Sequence, residues 1–212
     1  MSIGEHIEFF RQYRRRFQTT GAVAPSSRFL ARALARPLQQ HSAPCRVLEV
    51  GPGTGAVTRR IVMLLKPDDW LDLVELNETF VAVLNHRFEH DPVFRRVSER
   101  SQIYQVPIQE YRAAQSYDYI VSGLPLNNFP PELVREIFGV FFRLLAPGGV
   151  LSYFEYMYMR PFRKAVSNRD GRARLRELEG VLREYLGRHR FRRDWVFVNF
   201  PPAWVQHLRR DS

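Results

Sequence analysis

Three glycines recur at every second position, at Gly51, Gly53 and Gly55, directly after a short apolar run that contains Glu49. Glycine lets the backbone turn sharply and lets a ligand approach the main chain closely. Between a strand and a helix, this spacing is typical of a loop that binds a nucleotide. A second acid, Glu75, ends the next apolar run, and its two carboxylate oxygens can accept hydrogen bonds from the two hydroxyls of a ribose. The sequence therefore predicts a nucleotide site.

Two classes of nucleotide fit this loop. The pattern Gly51-x-Gly53-x-x-Ala56 also meets the dinucleotide fingerprint, and Glu75 is suitably placed for its ribose. An acid at Glu49 favours a different ligand, because a carboxylate attracts the cationic methionine end of S-adenosylmethionine and is unhelpful to a pyrophosphate. We therefore predict S-adenosylmethionine as the cofactor. A dinucleotide site and a glycine turn that binds nothing stay open as alternatives.

Strands and helices alternate along the chain, which predicts a parallel sheet with helices on both faces. Apolar runs predict strands at 46–50, 71–75, 101–105, 117–122 and 149–158. Helical spacing of apolar residues predicts helices at 3–17, 27–40, 57–65, 78–90, 131–145 and 173–187. A hairpin is predicted over 194–208. Ligands of such sheets bind at the carboxyl ends of the strands, where the glycine loop is expected.

Positive charge is concentrated in two segments. The chain has a formal net charge of +10 and 32 basic residues, nearly all arginine. Residues 1–36 hold seven arginines against two glutamates, and residues 160–193 hold twelve basic residues against four acidic ones. Such segments favour a polyanion, either a nucleic-acid backbone or an anionic lipid surface. Simple solubility is the alternative explanation.

The remaining composition suggests a compartment. A single cysteine, Cys45, excludes an intramolecular disulfide and favours a reducing environment. No apolar run approaches the roughly 20 residues that span a bilayer, and the N-terminal residues lack the apolar stretch of a secretory signal. We therefore expect a cytoplasmic protein that associates peripherally with the inner face of the cytoplasmic membrane.

The glycine loop and the acid that follows it carry a family resemblance. Residues Val47–Gly55 resemble motif I of class I methyltransferases, and Val74–Asn77 resemble their acidic second motif. This resemblance implies a Rossmann-like α/β fold with a mostly parallel seven-stranded sheet over 41–212, preceded by a helical extension over 1–40. It also implies cofactor contacts from Glu49, Gly51, Pro52, Gly53, Thr54, Gly55, Glu75, Leu76 and Ser122. Related enzymes often place an acid after the third strand to contact the adenine; here Gln105 or the Val106 backbone is expected to substitute.

Three separated segments resemble one subfamily, the bacterial phospholipid N-methyltransferases. They are residues 21–32, 122–130 and 198–203. The resemblance implies successive methylation of phosphatidylethanolamine, through its mono- and dimethyl forms, to phosphatidylcholine. The segment Ser122–Leu126 is also similar to the Asn-Leu-Pro-Tyr segment of ribosomal RNA adenine dimethylases. Here Leu126 replaces the aromatic residue that would stack on a base, which weakens that alternative.

Candidate catalytic residues follow from the implied reaction. The substrate loop is expected to present Ser122, Gly123 and Leu124, with the Gly123 carbonyl holding the amine. Tyr153 and Glu155 are expected to orient the amine or accept its proton. The activated methyl of the donor makes a metal unnecessary.

Membrane contacts are expected outside the predicted core. Phe9, Phe10, Tyr13 and Phe17 lie along the helix predicted at 3–17, which can insert between lipid headgroups. The alternative is that this helix packs on the protein's own core. Arg160, Arg163 and Lys164 follow the fifth strand and are expected to bind a lipid phosphate. We expect a monomer whose partners are an anionic membrane and its phospholipid. Nucleic acid is a partner only under the alternative function of an rRNA or tRNA adenine methyltransferase, and a non-catalytic membrane-associated protein is a further alternative.

Overall fold

A computed structural model describes residues 27–41, 44–157, 169–199 and 201–212. The strands are β1 Arg46–Val50, β2 Trp70–Val74, β3 Ser101–Tyr104, β4 Tyr117–Ser122, β5 Leu145–Tyr156, β6 Arg190–Val196 and β7 Ala203–Arg209. The helices are α1 Arg28–Leu34, α2 Ala56–Val62, α3 Glu78–His90, α4 Pro92–Arg95, α5 Pro131–Leu144 and α6 Arg169–His189. Short 3-10 turns cover Arg36–Gln40, Ser98–Arg100 and Leu126–Asn128.

The seven strands form one sheet in the order β3-β2-β1-β4-β5-β7-β6. Strands β1 to β5 pair in parallel, and β7 is antiparallel to both β5 and β6. The carboxyl ends of the parallel strands therefore meet at one edge of the sheet, and the chain reverses direction there between β6 and β7. At this edge Val50 is in register with Val74 and with Ser122, which is in register with Tyr153.

Helices cover both faces of the sheet. On one face α5 and α6 pack through side chains such as Phe138 and Leu182 against Ile120 and Leu151. On the other face α1 to α4 pack on a second apolar cluster, to which α1 contributes Leu30, Ala31 and Leu34. The burial of both faces explains why the central strands are apolar runs rather than alternating ones.

The predicted fold is confirmed, with differences at the element ends. Pro37 ends the predicted helix 27–40 early because proline cannot donate the backbone bond of a helix interior, so a 3-10 turn follows α1. Helix α1 is buried in the main core, so this described part of the predicted extension packs directly on the sheet. No helix in the described ranges is both long and apolar enough to cross a membrane.

Some predictions lie outside the described residues. They are the helix at 3–17 with Phe9, Phe10, Tyr13 and Phe17, and the basic residues Arg160, Arg163 and Lys164. These stay predictions.

Candidate active site

The glycine loop joins β1 to α2 in a conformation that only glycine adopts readily. Gly51, Gly53 and Gly55 have φ values of 73°, 58° and 84°. The Gly51 N–H donates to the Val74 carbonyl over 2.9 Å, which fixes the start of the loop against the end of β2. A Cβ at Gly53 would meet open space. The loop is therefore anchored at its start and leaves room above Gly53 for a ligand.

Glu75 holds the middle of this loop. Its carboxylate is buried and accepts hydrogen bonds from the Gly53 N–H over 3.0 Å and from the Asn77 N–H over 2.9 Å. Hydrogen bonds to a charged acceptor are stronger than neutral ones. Glu75 therefore ties the loop to the end of β2 while it lines the adjoining cleft.

Glu49 is buried, and its side chain lies on the face of β1 opposite to Leu48 and Val50. Burial raises the pKa of its carboxyl to about 8; the nearby Thr58 hydroxyl opposes this shift, and the negative charge of Glu75 adds to it. Neither carboxylate oxygen accepts a hydrogen bond of good geometry from the residues that the structure describes. A buried acid without hydrogen bonds favours its neutral form unless a cation lies near. Glu49 does not line the cleft, so its predicted attraction for a cationic ligand would act from beneath the loop.

A cleft opens beside Glu75 at the carboxyl edge of the sheet, with about 320 Å³ of empty volume. Its lining is mostly apolar, as a flat adenine requires. The lining residues are Val50, Gly51, Val74, Glu75, Leu76, Val106, Pro107, Ile108, Gln109 and Leu124. The predicted contacts Gly51, Glu75, Leu76 and Val106 are thus brought together at one cleft.

Gln109 is a site residue that the sequence prediction missed. Its side chain is buried in the cleft wall, and its Oε1 atom has no hydrogen-bond partner in the described structure. Gln105, which was predicted to contact the adenine, is exposed and lies outside the cleft lining. The turn after Val106 directs Gln109 back toward β2. The sequence prediction named Gln105 or the Val106 backbone, and only the course of this turn places Gln109 in the cleft wall.

Gly123 packs directly against the glycine loop. Its N–H donates to the Val50 carbonyl over 2.8 Å, and a Cβ at this position would lie 2.5 Å from the Gly51 carbonyl oxygen. Glycine is therefore required here by the backbone of the loop. Ser122 is fully buried, and its Oγ accepts a hydrogen bond from the Leu124 N–H over 3.3 Å. These two residues join the predicted substrate loop to the predicted cofactor loop.

The rest of the substrate loop is packed inward. Leu124, Leu126 and Phe129 are buried in the core beneath α5. The segment therefore presents no aromatic surface on which a base could stack. This is consistent with the interpretation of Leu126 from the sequence.

Tyr153 and Glu155 are two residues apart along β5, so their side chains lie on the same face of the sheet. The Tyr153 hydroxyl donates to Glu155 Oε1 over 3.1 Å, and Gln206 Nε2 donates to the same oxygen over 3.4 Å. Both side chains are buried, and Tyr153 is in register with Ser122. The structure thus brings the two predicted catalytic side chains together on the strand that pairs with the end of β4.

A cluster of potential metal ligands lies at the opposite edge of the sheet. His41, Cys45 and Asp69 are the one such group in the described ranges with ligand atoms within 4.8 Å of one another. Asp69 already accepts hydrogen bonds from the backbone of Cys45 and Lys66, at 2.8 and 2.7 Å, and lies 2.7 Å from His41 Nε2. The cluster joins the amino ends of β1 and β2 and has no part in the cleft.

Comparisons with known proteins agree with this geometry. Residues 47–149 match the family described as a methyltransferase domain. The chain is 33% identical over 150 residues to an ornithine lipid N-methyltransferase of Singulisphaera acidiphila, covering 68% of this chain and 75% of that protein. It is 38% identical over 93 residues to ribosomal RNA small subunit methyltransferase A of Parasynechococcus marenigrum, covering 43% of this chain and 29% of that one.

Solved structures share the fold at low identity. The N-methyltransferase NodS of Bradyrhizobium japonicum, in complex with S-adenosyl-L-homocysteine, has a TM-score of 0.62 and 17% identity, covering 87% of this chain and 88% of that one. The O-methyltransferase TomG of Streptomyces achromogenes, in complex with S-adenosylmethionine, has a TM-score of 0.63 and 16% identity, covering 89% and 82%. The predicted cofactor is confirmed. The chain belongs to the class I S-adenosylmethionine-dependent methyltransferases.

Proposed function

We propose that this methyltransferase acts on the amine of a membrane lipid, with phosphatidylethanolamine and its mono- and dimethyl forms as acceptors. The observation that carries the proposal is the 33% identity to an ornithine lipid N-methyltransferase over most of both chains. The resemblance of three separated segments to phospholipid N-methyltransferases supports the phosphatidylethanolamine acceptor, as does the net charge of +10. Ornithine lipid is the other acceptor to be tested.

Within this proposal the cleft holds the cofactor's nucleoside. Glu75 accepts the ribose hydroxyls, and Gln109 Oε1 accepts a hydrogen bond from the adenine amino group. Leu76, Val106 and Leu124 supply the apolar walls. Gly53 leaves the space above the loop for the methionine part. When bound, the cofactor supplies an electrophilic methyl group on a sulfonium, so positioning of the amine provides much of the acceleration.

The β5 network supplies a carboxylate that can accept the proton of an ammonium. The ethanolamine amine is largely protonated at neutral pH and must release a proton before its lone pair is available. The Tyr153 hydroxyl and the Glu155 carboxylate are hydrogen-bonded to each other, and Tyr153 is in register with Ser122 beside the substrate loop. We assign them the orientation of the amine and the acceptance of its proton. In this proposal Gly123, next to Ser122, borders the position of the amine.

The test is incubation of the protein with labelled S-adenosylmethionine and vesicles that contain phosphatidylethanolamine, its monomethyl or dimethyl form, or ornithine lipid. Label in the phosphatidylethanolamine series is the expected result. Label in ornithine lipid alone would show that ornithine lipid, and not phosphatidylethanolamine, is the acceptor. Label in neither lipid would contradict lipid methylation. Glu75→Ala should abolish transfer, whereas Glu99→Ala, at an exposed acid that precedes β3 at the opposite edge of the sheet, should leave it unchanged.

Methylation of an RNA adenine is the second candidate. The 38% identity to a ribosomal RNA methyltransferase favours it, although the match covers under a third of that protein. The buried Leu126, which offers no surface for base stacking, argues against it. Ribosomal RNA in the same assay decides between them, because label in RNA alone would select this candidate.

A further inference from the structure

Large apolar side chains are exposed together where the hairpin between β6 and β7 meets α1. Trp195 is 55% exposed, Phe197 62% and Val198 67%, and Phe29 of α1 is 38% exposed. With Arg32 they border one groove, which we call the hairpin surface. Contiguous exposure of large apolar residues is uncommon on soluble proteins and marks interaction sites.

The hairpin surface is held in place by defined contacts. Trp195 stacks on Phe197 with ring centroids 5.6 Å apart and meets Trp204 edge-on at 5.7 Å. The Asn199 side chain accepts a hydrogen bond from the Ser27 N–H over 3.4 Å and donates to the Pro201 carbonyl over 2.7 Å. The exposed aromatic residues are therefore presented on an ordered hairpin that is tied to the start of α1.

Positive charge surrounds the apolar residues. Arg28 and Arg32 are exposed on α1, and the Arg28 guanidinium lies 4.9 Å from the ring centre of Phe29. The acid that lines the groove, Asp194, is neutralised by Arg36 at 3.1 Å and Arg192 at 2.9 Å. The groove therefore carries a net positive charge among its described residues. Such a surface is complementary to an anionic partner.

The hairpin lies at the same edge of the sheet as the active site. Because β6 runs parallel to β5, its carboxyl end points toward the edge that carries the glycine loop and Gly123. The Met157 N–H at the end of β5 donates to the Pro202 carbonyl over 2.8 Å, which joins the hairpin to that edge. A partner that docks on the hairpin would thus face the substrate loop.

We infer that the hairpin surface docks on an anionic phospholipid bilayer, with Phe197 and Val198 inserted among the headgroups and Arg28 and Arg32 paired with lipid phosphates. Amphipathic aromatic side chains with arginine are favoured at the membrane interface. Each arginine near an anionic surface adds to the electrostatic attraction. This inference extends the proposed function and rests on it, because the proposed function identifies the acceptor as a membrane lipid.

Two other occupants fit the surface less well. A second copy paired along the outer edge of β6 would bring Arg190, Arg192 and Arg193 of both copies together, and like charges oppose each other across a strand pair. An RNA would pair with the arginines and stack on Trp195 and Phe197, but it would leave the aliphatic Val198, the most exposed of these apolar residues, without an apolar partner. A bilayer satisfies both the charge and the exposed apolar residues.

The experiment is co-sedimentation of the full chain with vesicles of phosphatidylethanolamine and phosphatidylglycerol. Phe197→Ser/Val198→Ser should lower the vesicle partition coefficient about tenfold, and Arg32→Gln about threefold. Met63→Ser, at a residue 54% exposed away from the hairpin, should leave it unchanged, as should Arg95→Gln. Calorimetric S-adenosylmethionine affinity should be the same in all variants, which shows that they fold.

The outcomes separate this inference from the proposed function. Wild-type partitioning of the hairpin variant overturns the docking surface, whatever residues 1–26 contribute to binding. A loss of self-association or of RNA binding with unchanged partitioning also overturns it and reassigns the surface. If partitioning falls as expected but no lipid is methylated, the docking stands and the acceptor is wrong. If the Phe197→Ser/Val198→Ser variant still methylates a short-chain phosphatidylethanolamine that is dissolved as monomers, the step it has lost is docking on the bilayer.

Discussion

The two halves of the sheet differ in pairing, burial and charge. Strands β3, β2, β1 and β4 are parallel, and their carboxyl edge carries the buried Glu75 and the glycine loop. Beyond β5 the pairing becomes antiparallel, and the outer strand β6 is rich in exposed arginine and aromatic residues. We propose that the first half encloses the cofactor and that the second half presents its open surface to a bilayer.

The largest effect should follow from Glu75→Ala. The variant removes two charge-assisted acceptors for the ribose, each worth about 1.5–3 kcal/mol, and releases the Gly53 N–H. We expect the dissociation constant for S-adenosylmethionine to rise at least about 150-fold by calorimetry. Vesicle partitioning should not change. Unaltered nucleotide affinity would contradict the assignment of Glu75.

Gly123→Ala should damage the junction between the two loops. A Cβ there would lie 2.5 Å from the Gly51 carbonyl oxygen, and backbone cannot yield as a flexible side chain does. We expect a loss of about 2 kcal/mol in the free energy of unfolding and about a 30-fold weaker cofactor affinity. Gly139→Ala is the matched control, since a Cβ at that helical position meets open space. Equal stability of the two variants would show that the loops do not constrain each other.

Glu49 should make cofactor binding depend on pH. With a pKa of about 8, its carboxyl is mostly neutral below pH 8 in the free protein, so binding of a cationic ligand must release a proton. We expect the affinity to fall about tenfold for each pH unit between pH 8 and pH 6. Glu49→Gln should remove this slope in calorimetric titrations. A slope that is identical in wild type and variant would exclude Glu49 as its origin.

The same shift predicts an opposite effect on stability. The unfolded state loses the Glu49 proton near the ordinary glutamate pKa of 4.5, whereas the folded state keeps it to a pKa of about 8. The free energy of unfolding should therefore fall as pH rises between these values. Glu49→Gln should raise the melting temperature of the ligand-free protein at pH 8.5 but not at pH 4. A lower melting temperature at pH 8.5 would show that the ionised carboxylate stabilises the fold.

The smallest effect should follow from Tyr153→Phe. The variant removes the hydrogen bond to Glu155 Oε1 and leaves the cofactor cleft intact. We expect kcat for lipid methylation to fall about fivefold with unchanged cofactor affinity, about 1 kcal/mol of transition-state stabilisation. Tyr119→Phe, toward the amino end of β4, serves as the control. Equal rates for both variants would remove Tyr153 from the mechanism.

Local sequence was sufficient for the cofactor half. The residues from Gly51 to Gly55 are contiguous, and each needs its own backbone conformation, so their spacing predicts the loop directly. Glu75 ends the next strand, and parallel pairing places that end beside the loop. The helix over Glu78–His90 and the strand over Tyr117–Ser122 were predicted with the observed bounds. The third strand was predicted one residue too long.

Contacts between distant segments could not be predicted in the same way. The exchange of Gln105 for Gln109 depends on how one turn folds back to β2. The exposure of Phe197 depends on the absence of a covering element over the β6–β7 hairpin in the described structure. A pattern of residue types contains neither the path of a turn nor what lies above a side chain.

The sequence by itself predicted the cofactor class and left a dinucleotide as the alternative, because the prediction rests on backbone conformations and an acid within single short segments. Only the tertiary structure decided that Glu49 is buried with no well-formed hydrogen bond from the described residues, and that Gly123 abuts Gly51. It alone also brought the hairpin to the edge of the active site. These properties arise from packing between residues far apart in the chain, and burial is a property of the whole fold rather than of any one segment.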